Sequence, residues 1–274
     1  MNDTLDALMA SGCWKSGELV FHGGTSLHLA HGSPRISEDL DFMVSNTMNI
    51  DTLSQFIQQH TQGKTWFPQG MSVYVSKMKE ERNPRSVTVS LRGDDVIGGI
   101  RVNVELYETD AKTLLDVRAT VKPVRLGKGV AAGEQTAITT ADIQEIYADK
   151  IFALGARPFL KARDVFDVHW LKTVHSEQCK CTYPDLRSRL RLYPGDTAAE
   201  WLNKARMRRD ELLVSQDAIQ KNLVRWLPAW EITLPMVEEF TISAIAALDE
   251  GIDLMSGIVA EEAPPENNKK GIEP

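Results

Sequence analysis

One segment constrains the chain more than any other: Phe21-His22-Gly23-Gly24-Thr25, a helix-like stretch to His31, then Asp39-Leu40-Asp41-Phe42. Leu19 to His22 is a short apolar run that reads as a buried strand ending in a glycine pair. Thr25 to His31 carries Leu27, Leu29 and Ala30 on one helical stripe and stops at Gly32, a residue type that ends helices. Where a strand turns into a helix through two glycines, free backbone N–H groups and the positive helix end can hold a phosphate. Gly23, Gly24 and Thr25 are therefore candidate phosphate-binding positions.

The next strand carries the chemistry. In Asp39-Leu40-Asp41-Phe42-Met43-Val44 a period of two puts both carboxylates on one face, about 7 Å apart at Cα. That spacing suits two carboxylates jointly holding hard cations, which prefer oxygen ligands. Phe42 and Val44 show that the strand enters a core, where acids are costly unless a cation compensates them. A third acid on a neighbouring strand would complete such a site. Glu105 is the candidate, alternating in phase with Asn103 and out of phase with the apolar Val102 and Val104.

The 274 residues allow one large domain or two modest ones. Before the central segment, residues 1–14 read as a helix with Leu5, Leu8 and Met9 on one face. A second helix is expected over 51–60, then strands over 72–76, 86–91 and 99–107, and a Gly/Pro-punctuated connection from Pro123 to Gly133. Helices follow over Thr140–Leu154 and Lys161–Val174. Past Pro184 the pattern stays helical to about Gly257, with breaks at Pro194, Pro228 and Pro235. The result is an α/β (α+β) chain: a mixed unit over 1–135, a helical unit over 136–260 and a mobile acidic tail over 261–274.

Within the helical unit, Lys150 falls inside the apolar stripe of Ile143, Ile146, Tyr147 and Leu154. Such a lysine either snorkels to the surface or meets an anionic partner inside, and the second is favoured because buried ammonium groups are rarely unpaired. Arg163 and Asp167, four apart on a helix, read as a surface ion pair. Trp170, Trp201, Trp226 and Trp230 read as packing residues.

Charge limits the partners. A formal net charge of −7 and a pI near 5.5 argue against a general polyanion binder. Yet residues 231–274 alone hold ten acids against two lysines. Residues 183–226 hold nine Lys/Arg against six acids, including Arg187, Arg189, Arg191, Arg206, Arg208 and Arg209, and residues 77–128 hold eleven against eight. A locally positive cleft that meets a nucleic-acid backbone is thus still expected. Three cysteines, Cys13, Cys179 and Cys181, do not make a disulfide framework. With no signal-peptide run and no apolar stretch near 18 residues, a cytoplasmic protein without a membrane span is expected.

Gly-Gly-Thr followed by Arg35-Ile36-Ser37-Glu38-Asp39-Leu40-Asp41-Phe42 resembles the signature of the AbiEii/AbiGii-type nucleotidyltransferase toxins. These are DNA-polymerase-β-like enzymes of bacterial toxin–antitoxin and phage-defence pairs. Their second signature is matched by Asp142 to Ile151 and by Lys161-Ala162-Arg163-Asp164-Val165-Phe166-Asp167-Val168, in the same order and spacing. The resemblance runs from about residue 19 to residue 171. It implies a nucleotidyltransferase-type mixed sheet with flanking helices, followed by a helical domain that contributes Lys150 and Asp164 to the cleft.

By the same resemblance, Gly24 and Thr25 would hold the triphosphate with Ser37 nearby, and Asp39, Asp41 and Glu105 would hold Mg²⁺, or Mn²⁺ in its place. Lys150 would touch the nucleotide phosphates and Asp164 would complete the site. Relatives often carry a basic residue where this chain has Asn103. The implied partners are an NTP, an RNA acceptor at the tRNA 3′ end, and a cognate antitoxin. Two other readings stay open: transfer to a small molecule or a protein on the same fold, and a non-catalytic nucleotide- or antitoxin-binding module.

Overall fold

Leu19, Phe21, Leu40, Phe42 and Val44 point to one side of a sheet, while Val20 and Met43 point to the other. This alternation builds two cores, one on each face. A computed structural model describes residues 2–11, 14, 17–47, 52–62, 70–78, 83–93, 99–124, 137–193, 195–227 and 230–262. In chain order the elements are α1 (Asn2–Ala10), β1 (Leu19–His22), α2 (Gly23–Leu29), β2 (Asp39–Ser45), α3 (Leu53–Gln62), β3 (Met71–Val75), β4 (Arg85–Gly93) and β5 (Ile100–Thr109). Then come α4 (Ala111–Asp116), β6 (Ala119–Pro123), β7 (Ala137–Ala141), α5 (Ile143–Ala156) and α6 (Ala162–Val174). The chain continues with α7 (Tyr183–Leu192), α8 (Ala198–Val214), α9 (Gln216–Leu223) and α10 (Leu234–Glu262).

The seven strands form one mixed sheet in the order β3-β4-β5-β2-β1-β7-β6. Strand β2 is central, antiparallel to β1 and parallel to β5. On the first face, Leu5, Leu8, Leu53 and Ile57 of α1 and α3 cover Phe21, Phe42, Val104 and Leu106. On the second face sits the larger core, shared by α5 to α10 with Val20, Leu27 and Met43. Residues 39 and 41 have the parity of Met43, so the two aspartates are turned toward the helices.

Several sequence expectations are corrected here. Thr140 and Ala141 do not begin a helix; with Ile138 and Thr139 they form β7, in keeping with the β preference of branched side chains. Phe21 pairs with Thr140 across β1 and β7, and the Thr140 hydroxyl donates to the Phe21 carbonyl at 2.9 Å. The helix starts only after Asp142, whose side chain accepts from the Glu145 amide at 2.7 Å as an N-cap. A sheet strand thus lies beyond residue 135, where only helices were anticipated. Elements α4 and β6 had no counterpart in the sequence pattern.

Pro235 does not break a helix but sits in the first turn of α10, where its missing N–H is not needed. That helix runs to Glu262, so Glu261 and Glu262 belong to it rather than to a tail. Pro194, Pro228, Cys13, most of the Pro123–Gly133 connection and residues 263–274 lie outside the described residues.

Helix α5 is buried nearly all round, as a helix between a sheet and other helices must be. Trp201 of α8 is fully buried against it, with Nε1 donating to the Phe152 carbonyl at 2.9 Å. Tyr147 donates to Glu250 of α10 at 2.8 Å. Helices α5 and α6 are thereby held over the half of the sheet that carries Asp39 and Asp41.

Candidate active site

Between β2, β5 and the helices α5 and α6 lies a cavity of about 580 Å³, within the range of small-molecule sites. Its lining includes Gly23, Gly24, Ser37, Asp39, Asp41, Glu105, Lys150 and Asp164. Residues from both signatures, more than a hundred positions apart, therefore share one site. Thr25 does not line it. Thr25 is fully buried and its hydroxyl donates to the Asp39 carbonyl, so the side chain braces the start of β2.

Register places the acids. Asp41 is paired with Glu105 across the parallel strands β2 and β5, and Asp39 with Asn103. Val104 and Leu106 point to the opposite core, which fixes Glu105 on the cavity side. Asn103 donates from Nδ2 to Asp39 Oδ1 at 3.0 Å and accepts from the Thr88 hydroxyl at 3.0 Å. Asn103 thus supplies Asp39 with a neutral, oriented donor.

Burial raises the Asp41 carboxyl above its ordinary value and Asp39 adds to this, against the opposing pull of His22. Burial, Asp41 and Asp39 likewise raise Glu105. Asp39, Asp41 and Glu105 thus crowd three carboxylates of one sign on the cavity side of the sheet. Among the described residues no group of three or more His, Cys, Asp or Glu side chains is arranged so that it could hold a metal ion.

The glycine pair serves the site in a way the sequence did not show. Gly23 has φ +77°, and a Cβ there would run into the Asp41 carboxylate. A Cβ on Gly24 would meet the Arg35 guanidinium. The two glycines admit charged side chains of the protein itself.

Opposite the acids stands a buried ionic cluster. Lys150 Nζ lies 2.7 Å from Asp164 Oδ1 and 2.7 Å from Asp167 Oδ2. Arg35 forms a two-pronged pair with Asp167 at 2.6 and 2.9 Å and donates to the Ile36 carbonyl at 2.9 Å. Arg157 Nη1 lies 3.0 Å from Asp164 Oδ2. Burial by itself would raise the Asp164 carboxyl, but Lys150 and Arg157 hold it well below the usual carboxylate range.

Lys150 thus meets anionic partners inside, the favoured alternative. The Arg163–Asp167 surface pair is overturned: Asp167 is fully buried and pairs with Arg35 and Lys150, while Arg163 lines the cavity. Asp167 follows Asp164 by three on α6, so the two share a face, a spacing that could have shown it. Arg35 stood inside the signature without an assigned role.

The basic patch over 183–226 is also largely corrected. Arg189 is buried on Glu145 and Asp149 at 2.6 and 2.9 Å, and Arg208 donates to the Leu154 carbonyl at 3.1 Å. Arg209 pairs with Asp249 at 2.7 Å and Arg187 pairs with Glu261. Four of the six arginines expected to form a positive face are engaged within the protein.

A mixed sheet thus presents in-register carboxylates to a lysine–aspartate cluster across a cavity. The sequence profile of the nucleotidyl transferase AbiEii toxins of type IV toxin–antitoxin systems matches residues 14–240, and the chain belongs to this family. Among curated protein sequences there is no significant match. The fold is similar to the crystal structure of JHP933 from Helicobacter pylori, with TM-score 0.50 and 17% identity over 95% of this chain and 94% of that one. It is also similar to MenT4, a nucleotidyltransferase toxin from Mycobacterium tuberculosis, with TM-score 0.50 and 18% identity over 93% of this chain and 85% of that one. Family membership implies an NTP substrate and a cognate antitoxin. No helix among the described residues is long and apolar enough to cross a membrane.

Proposed function

We propose that the cavity binds an NTP together with Mg²⁺, or Mn²⁺ in its place, and transfers the nucleotide to the 3′ end of tRNA, blocking aminoacylation. The observation that carries this reading is the register of Asp41 beside Glu105, next to Asp39, facing a wall of cations. Magnesium held by Asp39, Asp41 and Glu105 would supply charge neutralisation to the reacting phosphates.

In the transfer, the acceptor hydroxyl oxygen bonds to the α-phosphorus, the α–β phosphoanhydride breaks and pyrophosphate leaves. The hydroxyl proton passes to solvent water, while Glu105, beside Asp41 and Asp39, would help to hold the metal. Lys150, held between Asp164 and Asp167, lies on the opposite wall of the cavity from the acids. Catalysis of this kind is mostly positioning and charge stabilisation. The RNA acceptor is drawn from the family resemblance.

The test is purified protein with Mg²⁺, each labelled NTP and total tRNA. Label should enter tRNA, and Asp39→Ala should abolish it. Absence of label with all four NTPs, with wild type as harmless in cells as Asp39→Ala, sinks the reading. A tRNA acceptor also requires RNA binding that weakens steeply with salt, which a small-molecule acceptor does not.

A further inference from the structure

The cations around the cavity fall into two groups. Arg35, Lys150 and Arg157 are committed to Asp164 and Asp167. Lys161 and Arg163, at the start of α6, line the same cavity, and among the described residues neither has a carboxylate partner. Aromatic rings prop them instead. The Arg163 guanidinium carbon lies 5.1 Å from the Trp226 ring centroid, and Lys161 Nζ lies 5.6 Å from that of Phe159. A cation seated on a ring face is held in place while its N–H groups stay free to donate elsewhere.

Trp226 is itself anchored. Its carbonyl accepts from the Ile36 amide at 3.0 Å, which ties it to the segment carrying Ser37. Arg163 is therefore fixed relative to Ser37 and Asp39. Burial lowers Lys161 below its ordinary value, and the neighbouring Arg157 and Arg163 add to this against the weaker pull of Asp164. Partly buried like charges are costly, and a bound polyanion relieves that cost.

We infer that Lys161 and Arg163, rather than Lys150, take the triphosphate tail of the nucleotide, an assignment that rests on the nucleotidyl-transfer reading above. Lys150 is already spent on two carboxylates at 2.7 Å each and has little donor capacity left. The tail lies against the wall facing the acids, since Asp39, Asp41 and Glu105 repel bare phosphate oxygens. Trp226 acts as a positioning residue for Arg163.

The test is calorimetric binding in low-salt buffer with EDTA, using inorganic tripolyphosphate, the four NTPs, adenosine and tRNA as separate probes. The double variant Lys161→Ala/Arg163→Ala should weaken tripolyphosphate and every NTP by about tenfold or more, with adenosine unaffected. Arg163→Lys should recover part of the loss, and Trp226→Leu should weaken tripolyphosphate less than Arg163→Ala does. Unchanged tripolyphosphate affinity in the double variant overturns the assignment. So does a loss confined to tRNA, which would make the two cations part of the acceptor path. An equal loss in Lys150→Gln with an intact melting transition also overturns it. Label transfer by a protein whose double variant binds tripolyphosphate normally defeats only this inference. Binding that depends on Lys161 and Arg163 without any label transfer defeats only the nucleotidyl-transfer reading.

Discussion

Arg35 and Asp167 are locked in a buried two-pronged ion pair, Nε to Oδ1 at 2.6 Å and Nη2 to Oδ2 at 2.9 Å, across 132 positions of sequence. The pair joins the loop feeding β2 to helix α6, and so fixes the acidic strand against the cationic wall. Removing one member leaves the other charge buried, which costs about 3–5 kcal/mol. Arg35→Met should lower stability by that amount in urea unfolding, and Arg35→Lys should also destabilise, because an ammonium cannot reproduce the fork. The double variant Arg35→Met/Asp167→Leu should lose less than the sum of the single changes. A cost under about 1 kcal/mol for Arg35→Met would show that the joint lies elsewhere.

Asp41 should be a residue that function keeps at the expense of stability. Burial raises its carboxyl, so the fold disfavours the ionised form present above the unfolded value near 4. In metal-free buffer Asp41→Asn should be more stable than wild type by about 0.5–2 kcal/mol, while nucleotidyl transfer is lost. The gain should shrink as pH falls from the raised folded value toward about 4 and vanish below that, where the wild-type carboxyl is neutral in both states. A variant no more stable than wild type in neutral, metal-free buffer would contradict this account.

Much of this site was legible because its residues obey local rules. The period of two in Asp39 to Val44 put both aspartates on one face, and the alternation around Glu105 selected the third acid, which register then seated beside Asp41. Lys150 betrayed a buried partner by falling in an apolar stripe. What stayed hidden depended on contacts distant in sequence. Asp167 looked like half of a surface pair because nothing local indicates that Arg35 approaches it. The arginines of 183–226 looked like a positive face because their partners Glu145, Asp149, Asp249 and Glu261 come from other helices. Strand β7 was absorbed into the helix after it because it pairs with β1, over a hundred residues earlier.

Gly23 should tolerate no side chain. Its φ of +77° costs an L-residue about 1–2 kcal/mol, and the added Cβ would also push the Asp41 carboxylate aside. Gly23→Ala should therefore lose stability by at least that amount and lose transfer activity more severely than its residual folding explains. Thermal melts and label transfer measured on the same preparation separate the two effects. An active, stable Gly23→Ala variant would show that Asp41 need not lie where it does.

Acid should dismantle the Lys150–Asp164 cluster in a predictable order. Burial alone would raise Asp164, but Lys150 and Arg157 prevail and hold its carboxyl below the ordinary value. A depressed carboxyl contributes stability that is complete above the unfolded value near 4 and is lost as pH falls toward the folded one. Asp164→Asn should thus be less stable than wild type by about 3–5 kcal/mol at neutral pH, since Lys150 and Arg157 lose a buried counter-charge. Below about pH 4 the gap should narrow, because wild type then begins to surrender the same interaction that the variant lacks. Urea midpoints for both proteins from pH 7 down to about pH 3 measure it directly. A gap that stays constant, or widens on acidification, would mean that Asp164 is not held ionised by these two cations.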